Sequence, residues 1–201
     1  MTDWVTVRGG GPQPVPIPTI ISSNPPSGAV DARAGSVGGW KIVDLSMSFY
    51  SDINSSDFSV QSTNSSPVSI TGSTVYNIND PRTVALSRSL IPGERIRLTH
   101  RPSNSSVCLG FLPGDVNGDG TTNGPDLLEM IDVLNGVKTR PIYATDLDRS
   151  GVVNPADHLK LIDIMNNTTV VKSLPACPTP LTAAPSGSQI QMANTLSSLT
   201  T

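Results

Sequence analysis

The chain has 201 residues, of which only 14% are charged and 4% aromatic, while Gly and Pro contribute 17 and 18 positions. This composition excludes both a highly charged disordered chain and one large hydrophobic core, and it predicts modest domains rich in turns. No run of about 18 apolar residues is present, so no membrane span is predicted. The net charge is -3, and no stretch of the chain resembles the basic footprint of a nucleic-acid-binding protein.

The first 16 residues predict a flexible N-terminal arm. Trp4-Val5-Thr6-Val7 alternates in the manner of a short strand, and it is followed by Gly9-Gly10-Gly11 and by alternating prolines. The arm is either a donor strand that pairs with a sheet of a neighbouring molecule or a frayed terminus, and both readings stay open.

Residues 17–111 carry the signal of a β domain. In the segment 43–49, from Val43 to Phe49, every second residue is apolar, which is typical of a strand with one buried face. Shorter alternations recur at Phe58/Val60, Val68/Ile70, Val84/Leu86, Ile96/Leu98 and Val107/Leu109/Phe111. Roughly seven short strands separated by turn residues predict an immunoglobulin-like (Ig-like) β-sandwich, and a small open barrel is the competing fold.

Residues 112–167 differ from the β domain in both charge and pattern. The stretch 113–167 holds nine acidic side chains against four basic ones. Two segments repeat each other 31 residues apart, with identical pairs at Asp115/Asp146, Gly120/Gly151, Asn123/Asn154, Asp126/Asp157, Leu128/Leu159, Ile131/Ile162, Asp132/Asp163 and Asn135/Asn166. The pattern indicates an internal duplication, and the local acid indicates a cation site.

Each copy contains a loop that matches the EF-hand pattern. The predicted ligands at loop positions 1, 3, 5, 7, 9 and 12 are Asp115, Asn117, Asp119, Thr121, Asn123 and Asp126 in the first loop, and Asp146, Asp148, Ser150, Val152, Asn154 and Asp157 in the second. Carboxylate, amide and carbonyl oxygens favour Ca²⁺, and Gly at position 6 permits the sharp turn. The sequence therefore predicts two calcium ions.

A helix is predicted after each loop. A single loop match could be an ordinary turn rich in Asp and Gly, but two copies in register favour metal loops. The apolar stripes that predict the helices are Leu127, Leu128, Ile131 and Leu134 in the first copy and Leu159, Ile162 and Met165 in the second. Two such helices can pack antiparallel on each other. With few other apolar residues nearby, the metal is expected to supply part of the folding free energy.

Residues 113–167 resemble a dockerin type I repeat, on the run Gly114-Asp115-Val-Asn-Gly-Asp-Gly120, the helix that follows, and the run from Asp146 to Gly151. The resemblance implies a small extracellular bacterial module with two Ca²⁺-bound loop–helix motifs that docks onto cohesin domains. The sequence departs from the family pattern at loop positions 10 and 11, which are Gly124-Pro125 in the first loop and Pro155-Ala156 in the second. The preceding β segment resembles bacterial Ig-like domains.

The remaining features are a cysteine pair, candidate glycosylation sequons and the C-terminal segment. Cys108 and Cys177 flank the repeat, and they are predicted to form one disulfide, with two unrelated thiols as the alternative. Candidate glycosylation sequons begin at Asn54, Asn64, Asn104, Asn166 and Asn167, although several arise by chance in a chain rich in Ser and Thr. Residues 168–201 form a predicted C-terminal tail rich in Ser, Thr and Pro.

The fold expected from the sequence is mostly β with a small α part, an Ig-like β-sandwich followed by a paired EF-hand-type, dockerin-like domain. No catalytic motif is present, and His100 and His158 lack a catalytic neighbourhood, so no enzyme and no small-molecule substrate are expected. The predicted function is that of an extracellular or cell-surface calcium-binding protein for adhesion or assembly, with a cohesin-like domain or copies of itself as partner. The alternative is a structural subunit that polymerises into a filament by strand exchange between Ig-like domains.

Overall fold

The computed structural model describes residues 16–48, 54–74 and 82–180. Within these ranges the chain forms eight strands and three α-helices: β1 Ile20–Asn24, β2 Val30–Asp31, β3 Ile42–Met47, β4 Phe58–Ser62, β5 Ile70–Thr74, β6 Arg82–Leu86, β7 Glu94–His100, β8 Ser105–Phe111, α1 Gly124–Leu134, α2 Ile142–Thr145 and α3 Pro155–Asn166. The predicted arm, apart from Pro16, and positions 181–201 of the predicted tail lie outside the described residues.

The strands form two four-stranded sheets. The first has the order β1-β3-β6-β5 and the second the order β2-β8-β7-β4. All neighbouring strands are antiparallel except β2, which runs parallel to β8. The six alternating segments predicted from Val43 to Phe111 lie in or beside strands β3 to β8, apart from Phe49, which lies outside the described residues. The prediction of a mostly β chain with a small α part is therefore confirmed.

One hydrophobic core is shared by the two sheets. Val43 and Leu45 of β3 are fully buried, as are Leu98 of β7 and Leu109 of β8 in the other sheet. Because alternate side chains of a strand point to opposite faces, each sheet contributes every second residue to the core between them. Full burial of one such side chain stabilises the fold by about 1.5–3 kcal/mol.

A second, smaller core joins the β region to the helices. Ala32 and Ala34 follow β2, yet they pack with Val116, Met130, Leu147, Leu161 and Ile164. The backbone N–H of Ala32 donates to the carbonyl of Tyr143 (2.9 Å), and that of Ala34 donates to the carbonyl of Leu147 (2.8 Å). A segment of the β region is thus built into the core of the α-helical part.

A second connection runs in the opposite direction, from the end of α3 back to the sheets. We call residues 170–174 the strap. The N–H of Thr122 donates to the carbonyl of Lys172, and the N–H of Leu174 donates to the carbonyl of Gly120, each at 2.8 Å. Shortly after the strap, Cys177 forms a disulfide with Cys108 of β8. The strap therefore lies along the first acidic loop and is tied covalently to the second sheet.

Candidate metal centre

The two acidic loops have the same backbone geometry. In the first loop the N–H of Gly120 donates to Asp115 Oδ2 (2.9 Å), and in the second the N–H of Gly151 donates to Asp146 Oδ2 (3.0 Å). The two glycines have φ angles of 88° and 87°, a region that side-chain-bearing residues rarely adopt. Each loop therefore turns sharply at position 6 and closes onto its first carboxylate.

The last carboxylate of each loop also faces inward. Asp126 Oδ1 accepts from the N–H of Asn117 (3.0 Å), and Asp157 Oδ1 accepts from the N–H of Asp148 (3.1 Å). The other oxygen of each carboxylate accepts from the N–H of position 9, at 2.8 Å in the first loop and 2.9 Å in the second. Position 12 thus ties position 3 to position 9 in both copies.

The helices take their orientation from these inward carboxylates. Asp126 and Asp157 lie in the first turns of α1 and α3 and are fully buried. Side chains four and seven residues further along a helix share its face, and Met130 is buried after Asp126 just as Leu161 and Ile164 are buried after Asp157.

The predicted apolar stripes are therefore wrong in part. Leu128 and Leu159 were expected on the packed face of each helix, but they are 65% and 63% exposed. Ile131 is also exposed, whereas Leu127, Leu134 and Met165 are partly buried against the second core. The inward direction of the position-12 carboxylate rotates each helix so that a different set of residues faces the core.

The second loop gathers three carboxylates around one point. One oxygen from each of Asp146, Asp148 and Asp157 lies within 4.8 Å of the others. Asp146 and Asp157 are buried, and Asp148 is exposed. Carboxylates gathered this closely and partly withdrawn from water repel one another, and a bound cation would relieve that repulsion; hard oxygen ligands fit Ca²⁺.

The first loop also buries oxygen atoms that a cation would stabilise. Burial, with a smaller contribution from the nearby charge of Asp126, raises the pKa of Asp115 to about 6 against the hydrogen bond from Gly120. Burial also raises the pKa of Asp126. Asn123 Oδ1 at position 9 is buried and has no hydrogen-bond partner among the described residues. A cation held by these oxygens would offset the cost of burying two carboxylates and one amide oxygen.

The remaining predicted ligands lie at the open side of the loops. Asp119 Oδ1 accepts from the N–H and the hydroxyl of Thr121, at 2.8 and 2.7 Å, and Asp119 Oδ2 accepts from the amide of Asn117 (3.0 Å). In the second loop the hydroxyl of Ser150 donates to the carbonyl of Val152 (3.1 Å). Both loops therefore present the oxygen types that Ca²⁺ prefers, and the residues present fit the ion.

The comparison with protein families agrees with this geometry. Residues 113–168 match the family model of the dockerin type I domain. Dockerin domains bind Ca²⁺, are non-catalytic, and mediate protein–protein assembly by binding cohesins. No curated protein matches the chain. The dockerin segment follows the β region, as the resemblance in the sequence predicted.

The other predicted sites have the following positions. Cys108 and Cys177 are joined in a disulfide, with their Cα atoms 6.2 Å apart. Of the five sequon asparagines, Asn64 is half-buried and the others, at positions 54, 104, 166 and 167, are exposed. His100 is buried and its Nδ1 lies 2.7 Å from the hydroxyl of Ser103. None of the helices among the described residues is long and apolar enough to span a membrane.

Arg149 links the second loop to the β region, a role that the sequence did not indicate. Its Nε donates to the carbonyl of Ala34 (2.8 Å), and its Nη2 donates to the carbonyl of Gly38 (2.6 Å). Its backbone has a φ of 64°, where the equivalent Gly118 of the first loop has 78°. The two hydrogen bonds offset the strain of this conformation. The sequence signal for this link was that Arg149 stands where the first copy has Gly118.

Proposed function

We propose that this chain is a non-enzymatic, extracellular calcium-binding protein whose dockerin segment attaches the β region to a protein partner. The observation that carries the proposal is the agreement of the two loops, which share the position-6 turn and the same hydrogen bonds to the carboxylates at positions 1 and 12. A loop of ordinary turn residues has no reason to repeat this geometry 31 residues later.

We infer that each loop holds one Ca²⁺ ion. The ligands at positions 1, 3, 5, 9 and 12 are side-chain oxygens, and position 7 supplies a backbone carbonyl, from Thr121 in the first loop and Val152 in the second. The β region at 17–111, with two mostly antiparallel sheets around one core, supports an Ig-like sandwich as the domain that the dockerin segment carries.

Calorimetric titration of the calcium-free chain with Ca²⁺ tests the metal sites. We expect two ions per chain, and one ion for Asp115→Asn or Asp146→Asn, because each substitution removes a buried charged ligand from a single loop. Asp163→Asn is the matched control, since Asp163 is exposed on α3 outside both loops, and it should still bind two ions. Two ions retained in either loop variant would contradict the assignment.

The partner that this family resemblance favours is a cohesin-like domain on a neighbouring protein. Binding of type I cohesin domains to the full chain, measured in calcium and again after chelation, tests it. Binding that is lost with the metal supports calcium-dependent docking. Gly124-Pro125 and Pro155-Ala156 replace the recognition residues usual at loop positions 10 and 11. Absence of binding to every cohesin domain tested would therefore indicate a protein partner of another class.

The second candidate function is a self-assembling structural subunit. It is favoured by the alternating segment Trp4-Val5-Thr6-Val7 on its Gly-rich joint, which carries the pattern of a strand and could pair with a neighbouring copy. A head-to-tail contact between copies does not close and extends into a filament.

A further inference from the structure

The internal repeat creates two equivalent positions at which an extended chain can lie, one beside each loop. Beside the first loop this position is filled by the strap, which pairs with Gly120 and Thr122 through two backbone hydrogen bonds of 2.8 Å. Lys172 of the strap also donates from its Nζ to the carbonyl of Ile164 near the end of α3. The strap thus forms a short antiparallel pairing with the loop and contacts the C-terminal end of the neighbouring helix.

Beside the second loop lies an open groove of about 490 Å³, and its lining includes Val153, the counterpart of Thr122 in the repeat. Gly151 and Val153 lie 31 positions after Gly120 and Thr122, and the carbonyl of Gly151 and the N–H of Val153 form no hydrogen bond with a described residue. Ile131 of α1 and His158 of α3 form part of the lining. The groove therefore adjoins, at Val153, a backbone edge that is the counterpart of the edge with which the strap pairs in the first loop.

We propose that this groove receives the N-terminal segment Trp4–Arg8 of a second copy of the chain, paired antiparallel with Gly151–Val153. The proposal goes beyond calcium-dependent docking to another protein, and it gives the self-assembly alternative an acceptor site. The contact is heterologous, because the arm of one copy meets the groove of the next, and so it propagates into an open chain of subunits.

The arm contains the same residue types as the strap, at a different spacing. The strap has two valines followed by Lys172, and the arm has Val5 and Val7 followed by Arg8. β-Branched residues suit an extended segment that adds to a backbone edge. A cation after the apolar pair would approach the C-terminal end of α1, which the helix dipole favours, just as Lys172 reaches the C-terminal end of α3.

Sedimentation velocity of the full chain over a concentration series, in calcium, tests the proposal. We expect concentration-dependent association that the double variant Val5→Asp/Val7→Asp weakens at least about tenfold, since each buried valine contributes to the contact. Ile131→Asp in the groove should do the same. Leu128→Asp is the matched control on the same helix, because Leu128 is exposed outside the groove, and it should leave association unchanged.

A second measurement locates the contact. A synthetic peptide of residues 2–11, added to the Val5→Asp/Val7→Asp variant, should shift the amide resonances of Gly151–Val153 and leave those of Gly120–Thr122 unmoved. A chain that stays monomeric at every concentration overturns the proposal, whether its groove is empty or filled by its own arm. Peptide-induced changes in amide resonance that are confined to the strands also overturn it. Calorimetry on the same variants should still show two calcium ions, so failure here leaves the calcium function intact.

Discussion

Chelation of calcium in the full chain is expected to lower the melting temperature of the dockerin segment by roughly 20 °C or more and to reduce the helical circular dichroism signal. Two sites, each at a free calcium concentration 100 times its Kd, stabilise the folded state by about 5 kcal/mol together. That is a large share of the stability of a small domain. The second core is small, and the buried carboxylates of Asp115 and Asp157, one in each loop, lose their counter-charge when the ions leave.

The control for this experiment is a variant with both loops disabled, Asp115→Asn/Asp146→Asn. Chelator should leave its melting curve unchanged, and calcium added back should restore the original chain but not the variant. An original chain whose helical signal and melting temperature are unaffected by chelator would show that the metal has no part in folding.

The double variant Cys108→Ser/Cys177→Ser is expected to lose about 4 kcal/mol of unfolding free energy. The disulfide closes a loop with a sequence separation of 69 residues, and by chain entropy a loop of this size restricts the unfolded state by that amount. The bond also holds the strap against β8 from a point three residues beyond Leu174. Urea unfolding in excess calcium measures the loss.

Reduction provides the control for the disulfide. The original chain in reductant should unfold at the same urea concentration as the double variant in either condition, and the variant should not respond to reductant. Equal midpoints for the oxidised chain and the variant would mean that the strap is held by its other contacts alone, including the hydrogen bonds of Thr122 and Leu174.

The sequence predicted the strands and the dockerin segment well because their determinants are local. Alternation of apolar and polar residues places β3 and β8 correctly, since the two faces of a strand meet different surroundings. The two acidic loops could be aligned residue by residue because the EF-hand pattern fixes the spacing between its oxygen-bearing residues and the position-6 glycine. The match to the dockerin family model covers both loops.

The packed faces of the helices were harder to predict. The adjacent leucines 127 and 128 allow either of two faces to be apolar, and the stripe that includes Leu128 is a valid helical pattern. The deciding constraint is the inward carboxylate of Asp126, which places Met130 in the core and Leu128 in solvent. The spacing of apolar residues alone does not indicate how the helix is rotated about its axis. The inward position-12 carboxylate of the preceding loop is needed to choose between the two faces.

The junction between the β region and the dockerin segment could not be predicted because it is made by contacts distant in sequence. Ala32 and Ala34 are small residues in a turn-rich stretch, and their burial depends on helices more than 80 positions later. The strap lies in a segment whose composition predicts a tail. Its pairing with Gly120 and Thr122 depends on a backbone edge that exists only once the loop has folded.

The most direct test of the account is hydrogen exchange of the full chain with and without calcium, followed by mass spectrometry. If the calcium loops, the segment 29–34 and the strap form one unit, added calcium should slow exchange in peptides covering 29–34 and 170–174 as well as in the loops, because the N–H groups of Ala32 and Leu174 are hydrogen-bonded to the dockerin segment. Protection confined to residues 115–166 would contradict the account.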